Sequence, residues 1–145
     1  MTSHDQHTET NVTNTTHSES PFKGKTGLTR VWNAFHYSLA GLASAYRHED
    51  AFRQETWLAI VLIPVALFCP VTPVEKAVMI GSVLLVVIVE LLNSAVEAAI
   101  DRISLDRHLL SKRAKDIGSA AVLIALLNVI IVWTLILLPL FQRSL

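Results

Sequence analysis

After a polar start, hydrophobic positions fall into four blocks. From residue 28 to 46 they recur in steps of three and four, at Leu28, Val31, Trp32, Phe35, Leu39, Leu42 and Tyr46. At 100° per residue these fall within about 100° of arc, while Arg30, Asn33, Tyr37, Ser44 and Arg47 take the other side. The spacing predicts an amphipathic helix over 28–48 with Thr29 as its N-cap. Three longer apolar runs follow and leave little soluble core to receive that helix. A helix lying in a membrane interface, with Trp32 and Phe35 down, accounts for it better. The runs predict membrane spans over about 52–71, 75–103 and 117–141, each near the ~20 residues that a bilayer requires. Pro64 interrupts the first span, and neighbouring helices can satisfy the carbonyl it frees. Pro70 and Pro73 mark a tight exit turn. The predicted fold class is an all-α membrane protein, an interfacial helix plus three transmembrane helices.

Composition sharpens this. Only 17% of the 145 residues are charged, against about 25% in a soluble domain. Residues 57–72 and 77–100 hold two charges between them, and residues 117–142 hold none. A conventional soluble globule and a disordered chain are both excluded. Residues 1–26 differ: Thr, Ser, Asn and His dominate the first twenty, which cannot bury enough apolar surface to order themselves. The segment lacks the features of a signal peptide and is expected to be a disordered polar tail, with residues 27–145 as the membrane domain. His4, His7 and His17 read as solvated, and two glycosylation sequons there are frequent by chance. The formal net charge is zero, so no global field points to nucleic acid, and none is expected as a partner. The single Cys69 excludes an intrachain disulfide framework and a multi-thiolate metal site.

Basic residues near the span ends set an orientation. Lys23, Lys25, Arg30, Arg47 and Arg53 precede the first span, and Arg102, Arg107, Lys112, Arg113 and Lys115 lie between the second and third. The first hairpin has only Lys76 and the C-terminus only Arg143. The N-terminus and the second loop are expected in the cytoplasm, and the C-terminus outside.

The segment ELLNSAVEAAIDR, residues 90–102, carries the chemistry. Glu90, Asn93, Glu97 and Asp101 fall within about 80° on one helix face. A carboxylate in a membrane segment costs roughly 2.5–3.5 kcal/mol, so two on one helix need partners and are functional candidates. A structural polar seam gluing helices is the other reading, although Ser, Thr or Asn usually serves there. Two carboxylates and an amide can hold a hard cation such as Mg²⁺ and accept a proton from a hydroxyl. Beside the basic loop ending Arg113-Ala-Lys115-Asp116, they assemble the parts of a phosphoryl-transfer site. A proton-coupled transporter would not obviously need the flanking Lys and Arg. There is no Walker loop, no GxSxG elbow and no HExxH. His36, His48 and His108 are scattered and read as solvated or interfacial.

The motifs GLTR (27–30), EDAFRQE (49–55), VIVELLNSAVEAAIDRI (87–103) and LSKRAKDIGSAAVLIA (110–125) resemble those of the small prokaryotic diacylglycerol kinases. The resemblance covers residues 27–141. It implies a homotrimeric integral membrane enzyme, with sites shared between subunits, that phosphorylates diacylglycerol with Mg-ATP to give phosphatidic acid in the bacterial inner membrane. It implies Glu90 as the base, Asn93 as an orienting catalytic residue, and Glu49 with Glu97 as the Mg²⁺ ligands. Nucleotide contacts are implied for Arg30, Tyr37, Glu49, Glu97, Asp106, Arg107, His108, Lys115 and Asp116. Lipid contacts are implied for Arg30, Ala34, Ser38, Phe52, Arg53, Glu55, Glu90 and Ser119. Asn33 and Ala40 stand where the best-known relatives carry Lys, so the interfacial helix is less basic here. An undecaprenol kinase shares the catalytic motif and is the alternative within this fold. A membrane adaptor or transporter subunit with a polar helix seam is the alternative outside it.

Overall fold

The computed structural model describes residues 27–103 and 109–143, which form four helices: α1 (Leu28–His48), α2 (Asp50–Phe68), α3 (Pro73–Ile103) and α4 (Leu109–Arg143). Contacts divide the chain into a unit ending at Phe35 and a unit beginning at His36. In the first, Gly27 adopts φ +75° and its carbonyl accepts the Arg30 amide at 3.1 Å. That left-handed residue starts the helix at Leu28, so Thr29 lies within the first turn and is not the N-cap. Leu28, Val31, Trp32 and Phe35 are all exposed, and the Trp32 and Phe35 rings stand 6.4 Å apart.

In the second unit, α3 packs against both α2 and α4. The buried positions explain the pairing. Phe52, Ala59 and Ala66 recur every seven residues on α2, and the two alanines let its backbone come close to α3. On α3 the buried stripe runs through Met79, Ser82, Val83, Val86, Glu90 and Ser94, in the steps of three and four that define one helix face. On α4, Ala125 is buried. α2, α3 and α4 are each long and apolar enough to cross a membrane. At 1.5 Å per residue α3 reaches about 46 Å, against a hydrocarbon core of ~30 Å.

Three boundaries differ from the apolar runs. α2 ends at Phe68, short of Val71. Cys69 precedes Pro70 and is extended (φ −65°, ψ 139°), as expected where the proline ring disfavours helix in the residue before it. α3 starts at Pro73 through a reciprocal cap. Glu75 Oε2 accepts from the Thr72 amide and hydroxyl, both at 2.7 Å, and the Glu75 amide donates to Thr72 Oγ1 at 3.3 Å. This is a capping box with proline at the first helical position. Lys76 Nζ donates to the Leu67 carbonyl at 2.6 Å and so closes the end of α2. α4 begins at Leu109, eight residues before the apolar run at Ile117. The stretch LLSKRAKD has no Gly or Pro and is composed largely of good helix formers, so the helix extends beyond the apolar run. Lys112, Arg113, Lys115 and Asp116 sit on a helix, not in a loop. Pro64 lies inside α2, which runs on through it.

Candidate active site

The polar face of α3 continues its buried stripe. Glu90 is only 3% exposed, so a single chain already shields it. Asn93 and Glu97 are half-buried one and two turns on, and Asn93 Nδ2 donates to Glu97 Oε1 at 3.4 Å. Asn93 Oδ1 is buried with no hydrogen-bond partner among the described residues. It lies against Gly118 of α4, where any Cβ would collide with it. Gly118 therefore gives the amide its room.

Glu49 occupies the corner between α1 and α2, in extended conformation (φ −112°, ψ 113°). Its amide donates to the Ala45 carbonyl at 2.9 Å, and its own carbonyl accepts the Arg53 amide at 3.2 Å. Its side chain caps nothing and is left for other work. Glu49 and Ser94 help to line a cleft of about 390 Å³ with Ser44, His48 and Ala98. The charges of Glu97 and Glu49 act on Glu90, that of Glu90 acts on Glu55, and those of Glu97 and Glu49 also act on Lys115. Lys115 Nζ is ion-paired with Asp101 Oδ1 at 2.7 Å, joining the ends of α3 and α4. Carboxylates from α2, from α3 and from the α1–α2 corner thus share one electrostatic neighbourhood with an α4 ammonium.

The other expected residues are placed as follows. Phe52 is buried (3% exposed) on α2 and lines an apolar groove together with Ile60 and Pro64. Arg53 donates to the Tyr46 and Arg47 carbonyls at 3.3 and 3.2 Å and pairs with Asp50, which makes it a clamp on the end of α1. Sequence spacing could not show that role, because it depends on the bend at Glu49. Glu55 is half-buried, with Oε2 unpartnered among the described residues. Asp116 and Ser119 are exposed on α4, and Tyr37 and Ser38 on α1. Arg30 and Ala34 belong to the first unit and are exposed there. Asp106, Arg107 and His108 lie outside the described residues. Sequence reasoning also missed an apolar groove of about 700 Å³, lined in part by Tyr46, Thr56, Ile60, Pro64, Leu84 and Val87. Its lining reaches Val87, one turn from Glu90, and Thr56, next to Glu55.

Among the described residues no three metal-ligating side chains converge. A cation held by one or two carboxylates and completed by phosphate oxygens needs no such triad, and this is the usual Mg²⁺ arrangement at phosphoryl-transfer sites. The hard, half-buried oxygens of Glu49 and Glu97 fit it.

Three membrane-length helices with a buried carboxylate on the middle one define an integral membrane protein with a polar site at one end of its bundle. The model of the prokaryotic diacylglycerol kinase family matches residues 36–137. A diacylglycerol kinase of Pseudomonas aeruginosa is 58% identical over 121 residues, covering 83% of this chain and 98% of the relative. Diacylglycerol kinases of Haemophilus influenzae (57%, covering 74% and 92%) and Escherichia coli K12 (47%, covering 77% and 92%) are also similar. The chain belongs to the prokaryotic diacylglycerol kinase family.

Proposed function

We infer that this chain transfers the γ-phosphoryl group of Mg-ATP to the free hydroxyl of diacylglycerol, giving phosphatidic acid and ADP. The observation that carries the chemistry is Glu90, a carboxylate buried in the core stripe of a membrane helix, with Asn93 and Glu97 on the same face. Burying a carboxylate at that depth is costly, and a proton acceptor in reach of a lipid hydroxyl gives it a purpose. Glu90 takes the hydroxyl proton as the oxygen forms its bond to phosphorus and the bond to the leaving ADP oxygen breaks. Glu97 lies seven residues further along, ~10 Å on a helix, toward the end where a water-borne nucleotide arrives. Mg²⁺ held by Glu49 and Glu97 would offset the charge on the transferring phosphoryl group. Asn93 fixes the Glu97 carboxylate through its amide, and Lys115 supplies a cation for the phosphates. The apolar groove beside Glu55 and Glu90 suits an acyl chain and supports a lipid acceptor.

The chain is proposed to lie in the bacterial inner membrane as a homotrimer, with α1 in the interface, the N-terminus cytoplasmic and the C-terminus outside. The test is phosphate transfer from labelled ATP by the purified full chain, with diacylglycerol and undecaprenol offered side by side. Labelled phosphatidic acid that disappears in Glu90→Gln supports the inference. Label in the polyprenol alone, or transfer unaffected by Glu90→Gln, overturns it.

A further inference from the structure

The polar face of α3 has a fourth member that the proposed chemistry leaves unused. Asp101 stands four residues beyond Glu97 and pairs with Lys115 of α4. Both side chains are partly open, at 53% and 37% exposure, so the pair sits at the rim of the site. Lysine is a flexible stem carrying a point charge, and its ammonium goes wherever the strongest acceptor holds it. Two other carboxylates compete, because Glu97 and Glu49 also act on Lys115. These are the carboxylates proposed to hold the metal. An ammonium released from Asp101 would drift onto them, leaving its phosphate-facing position and neutralising the metal ligands together.

We propose that Asp101 is a positioning residue: it anchors the Lys115 ammonium on α4 at the rim, ready for phosphate and off Glu97 and Glu49. The proposal rests on the assignment of Lys115 to the nucleotide phosphates. Asp101 touches neither lipid nor nucleotide in this scheme. It acts through Lys115 alone, and this separates it from a residue that merely staples two helices.

The experiment uses the full chain in detergent micelles. Asp101→Asn is expected to raise the KM for Mg-ATP about tenfold, within the range of coupled neighbours, while kcat stays within about twofold. Asp101→Glu, which keeps the charge, should recover most of the loss. In a Lys115→Met background, Asp101→Asn should add no further change, since the group it positions is gone. A second readout needs no turnover. With no nucleotide present, an amine-acylating reagent followed by mass spectrometry should label Lys115 more slowly in Asp101→Asn than in the parent, relative to the exposed Lys112, because the released ammonium is drawn onto the half-buried Glu97 and Glu49. Calorimetric binding of Mg²⁺ with a non-hydrolysable ATP analogue should weaken in parallel. The proposal is overturned if Asp101→Asn chiefly lowers kcat, if its effect persists undiminished in Lys115→Met, or if Lys115 labelling does not slow. Should Lys115→Met leave the Mg-ATP requirement intact, the phosphate assignment itself fails, and the labelling still decides whether Asp101 holds the ammonium.

Discussion

Adding one carbon at Gly118 tests the site's geometry most directly. In the middle of a helix, Gly→Ala normally stabilises by ~1 kcal/mol, so propensity alone predicts a more stable and fully active protein. The packing predicts the opposite. A Cβ at residue 118 would overlap Asn93 Oδ1 and stand 3.3 Å from its Cγ. Either α3 and α4 spread, at an overpacking cost of about 1–3 kcal/mol, or the amide swings away. Swinging forfeits the hydrogen bond from Asn93 Nδ2 to Glu97 Oε1. That bond is long, at 3.4 Å, so the lower end of the charged range applies, about 1.5 kcal/mol. If all of it acts in the transition state, turnover falls about tenfold, and misplacement of Glu97 can extend the loss toward 10²-fold. Kinetics of lipid phosphorylation in mixed micelles would read the loss. Because the clash is steric, substitutions at residues 118 and 93 should not add. Asn93→Ala removes both Oδ1 and Cγ and leaves only a 3.9 Å contact to Cβ, so Gly118→Ala in that background should cost less than about twofold. Gly81 is the control, since no atom lies within 4 Å of a Cβ there, and Gly81→Ala should keep turnover. A fully active Gly118→Ala, or one whose loss is undiminished in the Asn93→Ala background, would refute the reasoning.

Three further outcomes are expected. Glu90→Gln should lower turnover by ~10²–10⁴ with little change in the Mg-ATP requirement, whereas Glu97→Gln should chiefly weaken Mg-ATP binding; a titration of Mg-ATP at saturating lipid separates them, and the reverse pattern sinks the assignment. Thr72→Val breaks the capping box at the start of α3 and should cost ~1 kcal/mol, seen as a lower melting temperature in detergent with activity retained at 25 °C. Deleting residues 1–20 should leave activity within about twofold, as expected of a surface terminal segment; a tenfold loss with intact assembly would give the tail a part in the site.

Two kinds of information separate what the sequence disclosed from what it hid. Long apolar runs gave away α2, α3 and α4, because a bilayer imposes length and composition together. The face shared by Glu90, Asn93, Glu97 and Asp101 followed from helical period alone. Helix ends were harder: an apolar run marks hydrocarbon and not the helix, so the first eight residues of α4 read as a loop. The cap at Thr72 and Glu75 was available as a T-x-x-E signature but lay among prolines that suggested only a turn. Contacts between helices were out of reach, because spacing within one helix says nothing of its register against another. Hence the Asn93–Gly118 approach, the Asp101–Lys115 pair and the Arg53 clamp emerge only in three dimensions. The cover over Glu90 also emerges only there. Phe52, Ala59 and Ala66 bring α2 against α3, and one chain reduces Glu90 to 3% exposure.

Burial of Glu90 within one chain changes how a shared site should be tested. The family resemblance implies sites that cross subunits, and mixing Glu49→Gln with Glu97→Gln looks at first like the natural test. Within one chain, however, the charges of Glu49 and Glu97 both act on Glu90 and on Lys115. If that neighbourhood is the working site, the two carboxylates serve the same site from the same chain. Every subunit of a mixed assembly then lacks one or the other. The expected result is that co-expressed, differently tagged Glu49→Gln and Glu97→Gln chains, purified through both tags, remain inactive although they assemble. Were Glu49 instead donated across a cyclic interface, each mixed trimer that carries both tags would rebuild one of its three interfaces, pairing the two intact carboxylates. Activity near a third of the parent's would therefore refute the single-chain arrangement. Inactivity would leave any contribution that crosses subunits to residues outside this cluster, with α1 the first element to vary.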